Sequence, residues 1–575
     1  MDCETNIDSI RALDEQIGEY ERALTKLKRT RNSLLNISKL PPEVLGNVFR
    51  WNVTREGDFG GLDWGSHNFL AVCHHWFEVA SRTPELWSFW GNTIEDWARL
   101  YRRSGTVPLD LILSAGYYID DFSDCGLGEG LGDALKDRAT QDTIRRVHLK
   151  AEDSTLINDI IGKLTTLGEE PRSNSMESLV LWNLDSTGPV DVSDFFARYR
   201  FPRLRRLDLT DCAISSWDHL SSRTSILTTL ELNFTNHFRT PTPTPTTSQL
   251  LLMLASNPTL RGVALFHHAI PNDGGGGSSS RVQLHCLKEL RLCGNLQHVL
   301  KFLDQLDHPR NLDRLTLALH DCDVVDIPRT IGPYLRDHLH RRDRSQDGLN
   351  LLVSYRAANT TPYIKFRAGD SRGIDFSAPS WVELNTFVRV NLVLSRGTRR
   401  DVLERAALDL ATYTPRDDVV HFRMYNEFTT GVDTYARFPN LRALSFYNTS
   451  LPTAFPNPNL IGEGKISPSL QHIFLDRVDV DDGDWSPLTT FLARRMSSGN
   501  RLDTLMIVRL PHMHPWVMGS IRSMVRELRI GVPSRRIAGL FDVIDDPNGE
   551  DSSSDGEGSS SDSAEDFSSE SDYSE

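Results

Sequence analysis

The sequence predicts an α+β chain: a small all-α unit near the N-terminus, then an irregular α/β repeat array, with an amphipathic helix in front and an acidic tail behind. Three observations predict it. Apolar residues recur at heptad spacing over residues 7–35. Helical apolar periodicity punctuated by proline runs over 37–90. A short motif, L-x-x-L-x-L, returns at intervals of 22 to 33 residues from Ile144 onward.

The chain of 575 residues is too long for one compact domain and suits several domains or a repeat array. Its net charge of −15 is concentrated: Asp542 to Glu575 holds 13 acidic residues and no Lys or Arg, and the rest of the chain carries only −2. A nearly neutral body argues against a nucleic-acid binder, because neutralising phosphates needs clustered Lys and Arg. No run of about 18 uncharged apolar residues is present, so no membrane partner is expected. The seven cysteines are scattered and form no C-x-x-C pair, which fits a reducing cytoplasmic or nuclear compartment.

In the first helix, Ile10, Leu13, Ile17, Tyr20, Leu24, Leu27, Arg31 and Leu34 occupy heptad a and d positions. The flanking pairs Gln16 with Glu21 and Ala23 with Lys28 give no attractive charge code for a parallel homodimer. Packing on the chain's next domain or on a partner is therefore favoured over homodimerisation. After Pro41-Pro42, Leu40, Val44, Leu45, Val48 and Phe49 recur at helical spacing. A second helix is expected with Phe69, Val72, Cys73, Trp76, Phe77 and Ala80 along one face, ending near Thr83 because Pro84 disfavours helical geometry before it. Trp76 and Trp87 are expected to anchor the core. The connecting stretch 91–114 reads as a helix capped by Thr93 and closed by Gly105, then a strand from Pro108 to Leu113.

Ile37-Ser-Lys-Leu-Pro-Pro-Glu-Val-Leu-Gly-Asn-Val-Phe-Arg-Trp51, Leu70-Ala-Val-Cys-His-His-Trp76, Ala80-Ser-Arg-Thr-Pro-Glu-Leu-Trp87 and Arg103-Ser-Gly-Thr-Val-Pro-Leu109 together resemble the F-box-like domain of fungal proteins. Those proteins similarly carry a short heptad helix just ahead of the F-box. The resemblance spans 37–90 and the segment after it, interrupted by a Gly-rich insertion from Glu56 to Gly65. It implies docking on the Skp-type adaptor of a cullin-RING ubiquitin ligase. By match to the family's Leu-Pro-x-Glu block, Leu40, Pro41, Val44, Leu45 and Phe49 would carry that contact.

Residues 140–540 read as an irregular leucine-rich-repeat array. The clearest units are Leu204, Leu207, Leu209 and Leu287, Leu290, Leu292, followed by Cys212 and Asn295 where such repeats tie down their turn. Looser units begin at Ile144, Met176, Leu227, Leu260 and Leu312, and later at Val419, Leu441, Leu470, Leu502 and Val525. Residues 330–415 fit poorly. Strand side chains alternate, so the residue between the last two apolar positions faces the opposite, concave side. This places Asp208, Glu231, Ala264, Arg291, Thr316, Arg423, Ser445, Phe474 and Met506 along one surface, acidic first, basic next and apolar last. Of these, Asp208, Glu231, Arg291, Arg423, Phe474 and Met506 are the candidate target-binding residues.

Three segments are expected outside the core: Thr240 to Thr247, Asp273 to Ser280, and the tail 545–575, which is too polar to bury anything. Within it Ser552, Ser554, Ser559, Ser563 and Ser569 have an acidic residue three positions on, the context that acidophilic kinases of the casein type prefer, and are candidate phosphorylation sites. No catalytic constellation emerges. Gly126 to Gly132 lacks G-x-G-x-x-G phase, Gly162-Lys163 lacks a P-loop's upstream glycine, and Cys73-His74-His75, His267-His268, His338 with His340 and His512 with His514 have no second ligand pair. The expectation is no enzyme, no metal and no cofactor. What remains is a substrate-recognition subunit holding a protein target near the ligase, or a scaffold of the same build without ubiquitylation.

Overall fold

The computed structural model describes residues 2–54, 69–90, 102–115, 143–165, 172–173, 175–185, 188–235, 243–273, 281–307, 312–322, 327–341, 349–356, 363–370, 386–394, 399–425, 437–455, 468–480, 483–508 and 513–531. The Gly-rich insertion, the Thr93 cap, Gly126 to Gly132 and the acidic serine tail, with Ser552, Ser554, Ser559, Ser563 and Ser569, lie outside them.

The heptad segment forms one helix, α1 (Asp2–Ser33), followed by a 3-10 turn at Asn36–Lys39. Helix α2 (Pro42–Thr54) begins on Pro42, whose missing N–H costs nothing at a helix start. The single helix expected from Phe69 to Ala80 is instead two, α3 (Phe69–Val72) and α4 (His74–Ser81), because Cys73 is fully extended at φ −164°, ψ 166°. One extended residue resets the helical phase. Val72 and Phe77 consequently face outward at 54% and 39% exposure, while Phe69, Val79 and Ala80 stay buried. The Phe49 ring stacks on Phe69 at 4.5 Å and tilts against Trp76 at 5.1 Å. Trp87 is buried, its indole donating to the Ala80 carbonyl at 2.8 Å, whereas Trp76 is only partly buried.

Every L-x-x-L-x-L unit forms a strand. After β1 (Phe89–Trp90) and β2 (Leu109–Ala115) come β3 (Ile144–Ala151), β4 (Ser178–Asn183), β5 (Arg206–Thr210), β6 (Thr229–Phe234), β7 (Gly262–His267), β8 (Glu289–Asn295) and β9 (Arg314–Cys322). Each pairs in parallel with the one before it. Parallel neighbours require a crossover, and among the described residues helices stand between most of these strands: α5 (Ser154–Thr165), α6 (Ser193–Arg198), α7 (Trp217–Arg223), α8 (Thr247–Ala255) and α9 (Leu296–Asp304). In α5, Ile157, Ile160, Ile161 and Leu164 turn one apolar stripe inward. Register aligns the fourth motif residue of each unit, from Val147 through Leu179, Leu207, Leu230 and Val263 to Leu290, in one buried row. Burying each such side chain contributes about 1.5–3 kcal/mol.

The poorly patterned segment holds a reversal of this order. After β9 the chain continues through α10 (Ile327–Arg341), strands β10 (Leu349–Arg356), β11 (Tyr363–Asp370) and β12 (Thr386–Leu394), then α11 (Arg400–Ala411) and β13 (Val419–Tyr425). Strand β12, not β10, pairs in parallel with β9. Antiparallel pairing joins β12 to β11 and β11 to β10, and β10 then pairs in parallel with β13. The chain thus skips ahead to β10, folds back through two strands, and crosses forward again by α11. From β13 the simple order resumes through β14 (Ala443–Tyr447), β15 (His472–Asp476), β16 (Thr504–Val508) and β17 (Glu527–Gly531), with helices α12 (Leu451–Ala454), α13 (Ser486–Ser497) and α14 (Pro515–Met524). The result, among the described residues, is one 17-stranded, mostly parallel sheet in a mixed α/β chain.

Strand ends repeat as well. Asp211, His267, Asn448 and Arg477 all have φ of 51–54° and occupy one position, the residue that follows the last outward-facing sheet position of its strand. The left-handed turn there favours Asp, Asn and His among non-glycine residues. Of the two residues expected to tie down turns, Cys212 is buried with its thiol 3.4 Å from the Thr210 carbonyl. Asn295 instead caps α9, accepting from the Gln297 N–H at 2.9 Å. The tie is made by Asn183, fully buried, which donates to the carbonyls of Gly188 at 2.9 Å and Asp211 at 3.3 Å. Among the described residues no helix is long and apolar enough to cross a membrane.

Candidate binding surfaces

Two surfaces carry the residues singled out by the sequence. On the helical unit, α2 divides by helical spacing. Leu45 and Phe49 point into the core at 0% and 2% exposure, so neither is available to a partner in this arrangement. Leu40 is half-buried against the same core, and Pro41 is exposed. Val44, Val48 and Trp51, at i, i+4 and i+7, line the outward side with 44%, 48% and 73% exposure. Val48 and Trp51 extend the surface beyond the residues of the family's motif. Unlike their neighbours they match no motif letter, but their helical phase relative to Val44 was readable. Beside α2, against α4, runs a groove of about 500 Å³ lined by charged groups including Glu43, Arg50, Glu78 and Arg82.

The heptad seam of α1 is also outward: Ile10, Leu13, Ile17, Tyr20, Leu24, Leu27 and Leu34 are 51–75% exposed. The expected packing of this seam on the next domain does not occur among the described residues.

The second surface is the sheet face turned away from the buried rows. Register places Asp208, Glu231, Ala264, Arg291 and Thr316 in one line across β5 to β9. The line continues through Arg389 of β12, Arg367 of β11 and Leu352 of β10 to Arg423, Ser445, Phe474, Met506 and Arg529. Every predicted position lies in this line. Arg367 was not legible because β11 runs backward and inverts the motif, and Arg389 was missed because Asn385 stands where the motif before Val388 and Val390 needs an apolar residue.

The acidic end is engaged within the chain. Asp208 is 1% exposed and accepts from the Trp182 indole at 2.9 Å and from Arg206 at 3.3 Å. Burial, then the neighbouring Asp208 charge, pushes the Glu231 carboxyl above its usual range. Glu289 bridges Arg291 at 2.9 Å and Arg314 at 3.2 Å. Arg423 is 6% exposed. Beside it His421 is fully buried and shares a 2.8 Å hydrogen bond with the Ser445 hydroxyl; burial, then the Arg423 charge, then His472, holds its imidazole well below the ordinary range. The same arrangement appears near the other end, where His148 meets Ser178 at 2.8 Å.

At the apolar end, Phe474 and Met506, expected at a target contact, are only 8% and 6% exposed and join Tyr447 and Val508 in a buried cluster of their own, separate from the main core. The Tyr447 and Phe474 rings lie 5.4 Å apart. The line therefore runs from a hydrogen-bonded acidic end through four arginines, Arg291, Arg389, Arg367 and Arg423, to an aromatic cluster. Such a face can recognise a protein by charge and shape.

No protein-family model matches the chain, and no curated protein matches it significantly.

Proposed function

We propose that this chain is the substrate-recognition subunit of a cullin-RING ubiquitin ligase of the SCF type, with its helical unit docking on a Skp-type adaptor and its repeat region holding a protein target. The single observation that carries the reading is the outward apolar side of α2, Val44, Val48 and Trp51, on the helix whose sequence resembles the F-box. Full burial of an apolar side chain is worth about 1.5–3 kcal/mol, and side chains left about half exposed in a row gain a proportionate part of it when a partner covers them. The helical unit continues directly into the sheet: β1 pairs with β2, and the Asp110 N–H donates to the Ser88 carbonyl at 2.8 Å. A target on the repeat region would be held at a fixed offset from the adaptor. The chain would contribute proximity, raising the effective concentration of the target's lysines at the conjugating enzyme, without chemistry of its own.

The test is capture of recombinant adaptor by the purified full-length chain. Leu40→Ala with Pro41→Ala should weaken capture about tenfold or more, and Val44→Ala with Trp51→Ala should do the same, since two lost apolar contacts together exceed the 1.4 kcal/mol that corresponds to tenfold. Undiminished capture by both folded double variants would sink the adaptor reading. Adaptor capture without turnover of any bound target would favour the scaffold reading instead.

A further inference from the structure

Three residues the sequence left as ordinary histidines and a scattered cysteine meet toward the C-terminal ends of three neighbouring strands inside the sheet. His267 ends β7, Cys293 lies in β8 and His320 in β9, spaced 26 and 27 residues apart, one unit each. Stacking in register brings them together: Phe266 pairs with Cys293, and Asn295 pairs with His320. One ligating atom from each lies within 4.8 Å of the other two. The Cys293 sulfur is 3.3 Å from His320 Nε2, and the His267 and His320 rings stack with centroids 6.0 Å apart at 16°. Gly294 permits the approach, since a Cβ there would stand 3.3 Å from the His267 carbonyl.

We infer that His267, Cys293 and His320 form a binding site for a single zinc-class divalent ion. Tetrahedral zinc with bonds of about 2.3 Å to sulfur and about 2.0–2.1 Å to nitrogen sets its S and N ligands about 3.5 Å apart, close to the separation of Cys293 and His320. One thiolate with two imidazoles is a ligand set for borderline ions such as zinc rather than for magnesium or calcium. The thiol is the deepest of the three, and both imidazoles are part-exposed. Three protein ligands leave a fourth position for water or for a side chain of a bound protein.

The alternative use of a cysteine beside a histidine, as a nucleophile, is opposed by burial. Cys293 is only 5% exposed, whereas reactive cysteines sit in electropositive, partly exposed surroundings. A divalent charge compensates that burial: metal binding replaces the S–H bond by a sulfur–metal bond and releases the proton to solvent.

The experiment uses the purified, metal-stripped full-length chain titrated with Co²⁺. The expected result is one Co²⁺ per chain, with thiolate-to-cobalt charge-transfer absorption and tetrahedral d–d bands, both abolished by added Zn²⁺. Cys293→Ser should remove the charge-transfer band. His267→Ala and His320→Ala should each weaken Zn²⁺ binding by at least the roughly 10–100-fold that loss of a supporting outer partner costs. Cys286→Ser, at an exposed cysteine, should change nothing. Circular dichroism of the metal-free proteins checks folding; should Cys293→Ser unfold, the His320→Ala variant, altered at a part-exposed side chain, decides. Absence of stoichiometric Co²⁺ binding, binding undiminished in His320→Ala, or a charge-transfer band lost with Cys286→Ser would overturn the assignment.

Discussion

Replacing Arg145 with Ala isolates the contact that fastens the first strands of the sheet. Asp110 on β2 has a side chain with 0% exposure, and Arg145 on β3 forks onto it, Nε to Oδ1 at 3.0 Å and Nη2 to Oδ2 at 2.6 Å. That hydrogen-bonded pairing holds the Arg145 guanidinium above its usual range. Arg146 stands farther off, 3.9 Å from the same carboxylate and 45% exposed. Removing one partner of a buried pair costs about 3–5 kcal/mol, because the remaining charge has lost its water and its counter-ion together. Arg146 recovers part of this, leaving about 2–3 kcal/mol, equivalent to roughly 30- to 150-fold in an opening equilibrium. Hydrogen exchange read by mass spectrometry on peptides covering Leu109–Ala115 and Ile144–Ala151 should therefore accelerate by that factor. Asp110→Asn should accelerate it less, since the stranded Arg145 is 30% exposed and partly rehydrated. Arg399→Ala provides the comparison, breaking an ion pair with Asp401 whose side chains are 77% and 60% exposed and where little effect is expected. Protection of β2 and β3 in Arg145→Ala equal to that in Arg399→Ala would refute the reasoning.

Two further outcomes follow from burial. Phe49→Ala opens a cavity beneath Phe69 and Trp76 and should cost the helical unit about 3–5 kcal/mol, while Val48→Ala on the outward side of the same helix should leave its melting temperature unchanged; thermal unfolding of both variants in the full-length chain checks this. His421 is held well below the ordinary imidazole range by burial, Arg423 and His472, so the folded chain stays unprotonated there while the unfolded chain takes up a proton as pH falls below about 6.5. Stability is therefore present above that pH and lost at about 1.4 kcal/mol per unit below it, and urea midpoints from pH 7.5 to about 5.0 should fall less steeply in His421→Gln than in the parent. Parallel slopes in the two proteins would contradict this origin.

Periodicity alone determined much of this molecule. The i, i+3, i+5 phase from Ile144 to Leu149 and from Leu502 to Ile507 marked strands that the sheet then aligned residue for residue, because alternation along a strand fixes which side chains share a face. The open-face line, from Asp208 to Met506, followed from the same rule. The proline pair at 41–42 likewise marked the start of α2. Tertiary structure decided the rest. The reversal through β10, β11 and β12 was hidden because β11 runs backward, so Ile364, Phe366 and Ala368 meet Leu392, Val390 and Val388 in opposite order; a motif read from N to C cannot show a strand whose partners are read from C to N. The sequence could not separate the inward Leu45 and Phe49 from the outward Val44, Val48 and Trp51 until α3 and α4 took up one side of α2. Nor could it bring His267, Cys293 and His320 to one place. Their separation in sequence is one turn of the stack, and only parallel pairing in register converts that period into contact.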